Sequence, residues 1–331
     1  MALMFATAGC ISSQGLADRI AKAPNLQYEC LSDKQCRQWS RRIFGTNDPC
    51  LRLTVPVGPP EAMLSVMELP PADYHIEVLA KVSRHKNGTK DFVLGMEWKT
   101  NAIATPLKER GTVVLLHGYM MQKETMLPWA VVLAEAGYRV VLVDLRGHGR
   151  STGRTFTAGK YESADMVQVL DYLTARKLSD PEVGVLGHSF GADVGLFWAA
   201  RDARVKTVVA IAPYNRPDEA IPRFAKELNW PFSTNKLAKA VALAEPQLGI
   251  KWADWTAVGA VAGMKVPVLF IGGGKDGICR TNDLDLLEQA APAGSKKIVI
   301  AEANHFVIGF WFQELAKPVI EWFGGKLVGE Q

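Results

Sequence analysis

Six short runs of aliphatic and β-branched residues recur along the chain: "TVVLLHG" (112–118), "RVVLVD" (139–144), "VGVLG" (183–187), "TVVAIAP" (207–213), "VPVLFIGG" (266–273) and "KKIVIAE" (296–302). Most are apolar at nearly every position rather than alternating, which is the pattern of strands covered on both faces. Stretches with helical periodicity separate them, at 123–136, 160–176, 190–202, 281–291 and 307–323. Strand alternating with helix predicts an α/β fold, with a mostly parallel central sheet, helices on both faces and right-handed crossovers. Ahead of these, "YHIEVLAKV" (74–82) and "DFVLGMEW" (91–98) flank an Asn87-Gly88 turn, and they predict an antiparallel pair at a sheet edge.

The alternation breaks at about 215–264, a segment too long for a simple crossover. It carries helical patches at 217–228 and 235–245, and it holds Trp230, Trp252 and Trp255. An insertion at the carboxyl end of a strand lies where ligands bind in open α/β sheets, so this segment is expected to form a small helical cap. Residues 11–70 have weak periodicity and, with the residue that follows, carry several prolines, among them Pro56, Pro59, Pro60, Pro70 and Pro71. They are expected to form an N-terminal extension with one or two short helices, packed on a main domain at 71–331.

Composition narrows the function classes. A chain of 331 residues, 48% hydrophobic, can bury a large core. A net charge of +4 with scattered basic residues leaves no nucleic-acid footprint, and the cluster Arg37–Arg42 reads as a solvated helix face. The five cysteines form no C-x-x-C pair, and H-E-x-x-H is absent, so no structural metal is expected.

The chemistry centres on "VGVLGHSFGADVG" (183–195). A strand, then Gly187-x-Ser189-x-Gly191, then a helix is the nucleophile-elbow arrangement. The turn is strained and crowded, so the flanking glycines are required to have no side chain. It lifts the serine hydroxyl to a helix N-terminus, where a developing anion is favoured. A serine nucleophile needs a base and an orienting carboxylate. One histidine follows Ser189 in the chain, His305, in a loop after the last strand. Asp276, after the Gly-rich end of "VLFIGGGKDG", is the leading acid, with Asp283, Asp285 and Asp218 as alternatives. The oxyanion hole is expected from the backbone N–H groups of Phe190 and Tyr119. His188 is expected to point away from Ser189 across the turn, His117 to brace the oxyanion loop, and His148 to order its own loop.

"LLHGY", "DLRGHGRST", "LGHSFGA", "GGGKDG" and "NHF" stand in the order and spacing of the α/β-hydrolase superfamily. The chain resembles the serine-hydrolase branch that includes lipase-like esterases, monoglyceride-lipase-like enzymes and proline-iminopeptidase-like peptidases. That resemblance covers about residues 75–325. It implies a Ser-His-Asp triad, an acyl-enzyme, no cofactor and a small-molecule ester or acyl substrate. Peptidase, amidase or acyltransferase chemistry on the same triad is the alternative. A serine at the elbow sets the chain apart from the branches that use Asp or Cys there.

The first residues pose a separate question. "MALMFATAGC" is an apolar run ending in small residues and Cys10, and it resembles the end of a bacterial lipoprotein signal. Thr7 and the lack of a preceding Lys or Arg depart from that pattern. A cell-envelope lipoprotein tethered to a membrane through Cys10 and a cytoplasmic protein both stay open. The first implies an oxidising compartment, with a disulfide among Cys30, Cys36 and Cys50.

Overall fold

A computed structural model describes residues 11–29, 32–44, 48–84, 90–99 and 104–327. Among these, eight strands form the central sheet: β1 (Leu51–Val57), β2 (Ala62–Leu69), β3 (Thr112–Leu116), β4 (Arg139–Val143), β5 (Val183–His188), β6 (Val205–Ile211), β7 (Val268–Gly273) and β8 (Lys296–Ile300). Their spatial order is β1-β2-β4-β3-β5-β6-β7-β8. The pairs β1–β2 and β2–β4 are antiparallel, and every other neighbouring pair is parallel. All six apolar runs are strands of this sheet. The reason is visible in their burial: Val113 to Leu116, Val140 to Val143 and Val208 to Ile211 are 0–2% exposed, so both faces are covered. Removing each such side chain from water contributes roughly 1.5–3 kcal/mol.

Among the described residues ten α-helices flank the sheet or cap it. They are α1 (Ser13–Ala21), α2 (Asp33–Phe44), α3 (Leu127–Glu135), α4 (Lys160–Ala175), α5 (Phe190–Arg201), α6 (Pro217–Glu227), α7 (Thr234–Leu248), α8 (Ala257–Ala262), α9 (Thr281–Ala290) and α10 (Phe312–Leu327). Helices α6 and α7 match the two helical patches expected in the cap, and α8 closes that segment before β7.

The first seventy residues depart from the expectation. They contain two strands, β1 and β2, that belong to the central sheet, so the main domain begins well before residue 71. Proline obscures them in sequence. Pro56 lies within β1, the outermost strand, where a missing N–H is tolerated. The pair at Ile76–Arg84 and Lys90–Trp98 is antiparallel as expected, but it forms a separate two-stranded ladder rather than an edge of the central sheet. Its Asn87-Gly88 turn lies outside the described residues, as do Cys10 and Cys30. Cys50 carries a free, buried thiol. Among the described residues no helix is long and apolar enough to cross a membrane.

The beginning of the chain forms an arm across the main domain. The Ser12 hydroxyl caps α1 by accepting the Gly15 N–H at 3.0 Å. Past the helix, the Ala23 N–H donates to the Arg154 carbonyl and the Asn25 N–H to the Gly147 carbonyl. The Phe156 N–H donates back to Ala21, and the Gln247 side chain of α7 donates to Asp18 at 2.9 Å. The arm is therefore fixed both to the loop after β4 and to the cap.

Candidate active site

Ser189 stands between β5 and α5 with φ 52° and ψ −122°. This is a strained backbone for any residue with a side chain. The chain can make the turn because its neighbours are bare. A Cβ on Gly187 would lie 2.2 Å from the Gly191 carbonyl oxygen, and one on Gly191 would lie 2.2 Å from the carbonyl oxygen of Leu116 in β3. Both collisions are with backbone, which cannot step aside.

The Ser189 hydroxyl donates to Nε2 of His305 at 3.0 Å, and Nδ1–H of His305 donates to Oδ2 of Asp276 at 2.9 Å. Oδ1 of Asp276 accepts the backbone N–H groups of Ile278 (2.8 Å) and Cys279 (2.7 Å), which fix the carboxylate's rotation. All three side chains are buried: Ser189 is 8% exposed, Asp276 7% and His305 5%. The alternative acids are committed elsewhere. Asp283 pairs with Arg223, Asp285 with Lys297 and Asp218 with Arg216.

The other histidines separate clearly. Nε2 of His117 accepts the Leu145 N–H at 3.0 Å, so its proton is on Nδ1, which donates to the Gly118 carbonyl at 2.8 Å. A trans peptide points its C=O and N–H in opposite directions. With the Gly118 carbonyl held by His117, the Tyr119 N–H faces the other way. The Phe190 N–H opens α5, where the first turn has no intrahelical acceptor. His148 donates from Nδ1 to the Arg146 carbonyl at 2.9 Å and stacks on Phe190 at 5.7 Å. Burial lowers its pKa to about 3 and that of His117 to about 4, so both imidazoles are neutral near pH 7. His188 corrects the expectation. It lines the same cavity as Ser189, and its ring stacks against that of His305 at 5.8 Å, between the Gly118 and Gly309 loops.

A cavity of about 270 Å³ opens onto Ser189 and His305. The core and the oxyanion loop supply Tyr119, Met121, Phe156, Phe190 and Tyr214, and the cap supplies Ile221, Phe224, Trp230, Phe232 and Leu237. Of the three cap tryptophans only Trp230 reaches it; the Trp252 indole N–H donates to the Val241 carbonyl, and Trp255 packs on Phe197. Sequence reasoning missed a further wall. Leu16, Arg19, Ile20 and Tyr28 of the arm also line the cavity. The amphipathic spacing of Leu16 and Ile20, four residues apart, was the available signal.

The loops around the site are tied by a buried cation. Nζ of Lys123 lies 2.7 Å from Oδ2 of Asp144 and donates to Ser65 at 2.9 Å, linking the loops after β3 and β4. A three-membered set of metal-ligating groups also occurs at the site. Cys279, in the loop that carries Asp276, brings its sulfur close enough that the ligating atoms of Asp276, Cys279 and His305 all lie within 4.8 Å of one another.

A family model for the α/β-hydrolase fold matches residues 111–257, the stretch from β3 through the elbow and into the cap. The chain has the α/β-hydrolase fold. Solved α/β-hydrolase structures share its architecture at low identity. The Pyrococcus furiosus esterase Pf2001 superposes with a TM-score of 0.62 at 18% identity, covering 91% of this chain and 96% of that one. The 2,6-dihydroxy-pseudo-oxynicotine hydrolase gives 0.59 at 17% identity, covering 90% and 76%. Among curated proteins the chain is similar to the uncharacterized protein YqkD of Bacillus subtilis (strain 168), 25% identical over 202 residues, spanning 60% of this chain and 66% of that one. Family and neighbours together support a hydrolase in the general sense.

Proposed function

We propose that the protein is a serine hydrolase of carboxylic esters acting through an acyl-enzyme, with Ser189 as nucleophile, His305 as base and Asp276 as the carboxylate that orients it. The observation that carries this reading is the unbroken hydrogen-bond chain from Ser189 to His305 to Asp276 at 3.0 and 2.9 Å. Nε2 takes the hydroxyl proton as Oγ attacks the carbonyl, and Asp276 stabilises the imidazolium that forms. The N–H groups of Tyr119 and Phe190 receive the developing oxyanion, each worth about 3–4 kcal/mol in comparable sites. His305 then passes its proton to the leaving alkoxide. In the second half-reaction it takes a proton from water, which attacks the acyl-enzyme.

The cavity suggests the substrate class. Its lining is aliphatic and aromatic apart from a few polar groups, and Arg19 is the one permanently charged side chain in it. An ester with an apolar acyl or aromatic part fits that wall. Amide cleavage and acyl transfer use the same intermediate, and the acceptor decides between them.

The test joins labelling to turnover. A fluorophosphonate probe should label Ser189 in the folded protein, and aryl esters should be turned over faster than the matching amides. Ser189→Ala and His305→Ala should each lower turnover by roughly three orders of magnitude or more, and the double variant by little beyond that. No labelling of Ser189 would remove the nucleophile. Amide turnover well above ester turnover would replace the esterase by a peptidase or amidase. A membrane tether through Cys10 is a separate proposal: Cys10→Ser should abolish partitioning into detergent, and unchanged partitioning would refute the tether.

A further inference from the structure

Cys279 has no part in the proposed catalytic cycle, yet it is wholly buried beside it. Its backbone N–H holds Asp276, while its sulfur lies in one cluster with the Asp276 carboxylate and the His305 imidazole. The ligating atoms of the three residues are mutually within 4.8 Å, and Nδ1 and Oδ2 are already 2.9 Å apart. Tetrahedral zinc with bonds of about 2.0–2.3 Å sets its nitrogen, oxygen and sulfur ligands roughly 3.3–3.6 Å from one another. With 2.9 Å between Nδ1 and Oδ2 and no separation beyond 4.8 Å, the cluster lies within roughly an ångström of those spacings.

The surroundings favour a cation. The Asp276, Asp193 and Asp283 side chains and the Arg223 guanidinium lie close enough to the Cys279 sulfur to act on it electrostatically. Asp193 is 0% exposed, and its Oδ1 has no hydrogen-bond partner. A dication bound by the Asp276 carboxylate would become the largest local charge in this buried region.

We propose that Asp276, Cys279 and His305 form an inhibitory site for a thiophilic divalent cation such as zinc. The cation binds through Sγ, a carboxylate oxygen and Nδ1. The thiol releases one proton to solvent, and the imidazole proton moves from Nδ1 to Nε2. Thiolate, carboxylate and dication then sum to zero charge, which suits a buried cluster. No electron changes hands. The consequence follows from the tautomer: with a proton on Nε2, His305 donates to the Ser189 oxygen and cannot accept its proton. Nδ1 is no longer held by Asp276 alone but by the metal.

Metal occupancy is measured independently of turnover, whereas the effect on turnover rests on the proposed hydrolase reading. The protein, freed of metal with a chelator, is titrated with Co2+, and the near-ultraviolet thiolate-to-cobalt charge-transfer band is followed. One band-forming equivalent per chain is expected in the wild type and none in Cys279→Ala. In parallel, Zn2+ should inhibit aryl-ester turnover reversibly, with activity restored by chelator. Cys279→Ala, or Cys279→Ser if the alanine variant unfolds, should need about 10- to 100-fold more Zn2+ for the same inhibition, the range that loss of even an outer-sphere partner produces. Absence of the cobalt band, or equal zinc sensitivity in wild type and variant, overturns the site. A cobalt band in a protein that turns over no ester would uphold the site while removing the hydrolase.

Discussion

At the scale of single residues, the site depends on tautomers and on absent side chains. His305 presents a bare Nε2 to Ser189 because Nδ1–H is committed to Asp276. Asp276→Asn would keep the shape but offer an amide N–H to Nδ1, which favours the opposite tautomer. Turnover is expected to fall by about four orders of magnitude, as for the equivalent change in the serine-protease template. Steady-state kinetics on an activated ester checks this, and a loss under tenfold would mean that Asp276 does not orient the base. That Ser189, His305 and Asp276 would meet was legible in sequence. The elbow motif names the serine, and chain order leaves a single downstream histidine. The side to which His188 points was not legible, because it depends on how the Gly118 and Gly309 loops close around the ring rather than on the motif.

At the scale of elements, the strands with both faces buried were the most readable, since continuous apolar runs leave few other options. Strands β1 and β2 were hidden by prolines and by half-exposed positions: four of the seven residues in β1 are at least partly exposed before Val55 is reached. The arm was hidden for a different reason. Helix α1 touches the cap helix α7 more than two hundred residues later, and nothing local in either stretch encodes that contact. If the arm is a pocket wall, filling the space behind Ile20 should change selectivity. Ile20→Trp is expected to lower kcat/KM for long-chain p-nitrophenyl esters by about tenfold relative to the acetate, within the roughly 1–3 kcal/mol that overfilling a packed site costs. An unchanged ratio would take the arm out of substrate selection.

At the scale of the whole molecule, acid should be the condition the fold resists least. His117, His148 and His188 are buried and neutral, with pKa values lowered to about 4, about 3 and about 3, burial being the main cause in each. In the unfolded chain an imidazole titrates near pH 6.5. The folded values are depressed, so below pH 6.5 the unfolded state binds more protons. Stability is complete above that pH and is lost as pH falls toward 4. Each of the three histidines contributes a slope of up to about 1.4 kcal/mol per pH unit in that window. Urea unfolding midpoints measured between pH 7.5 and 4.5 should drop steeply below 6.5. A flat profile would show that these imidazoles are not held neutral by the fold.

The arm also gives the molecule two unlike ends. Residues 16–28 form one rim of the cavity, whereas Leu327 packs against Gly111 and Gly184, at the starts of β3 and β5 and thus at the far edge of the sheet from Ser189. A bead or dye attached at residue 11 would be carried by the arm that rims the cavity and would crowd incoming substrate. The same attachment at residue 327 would leave that entrance clear. For immobilisation or imaging, the choice between residues 11 and 327 is therefore a choice about substrate traffic, set by which edge of the sheet each lies nearer.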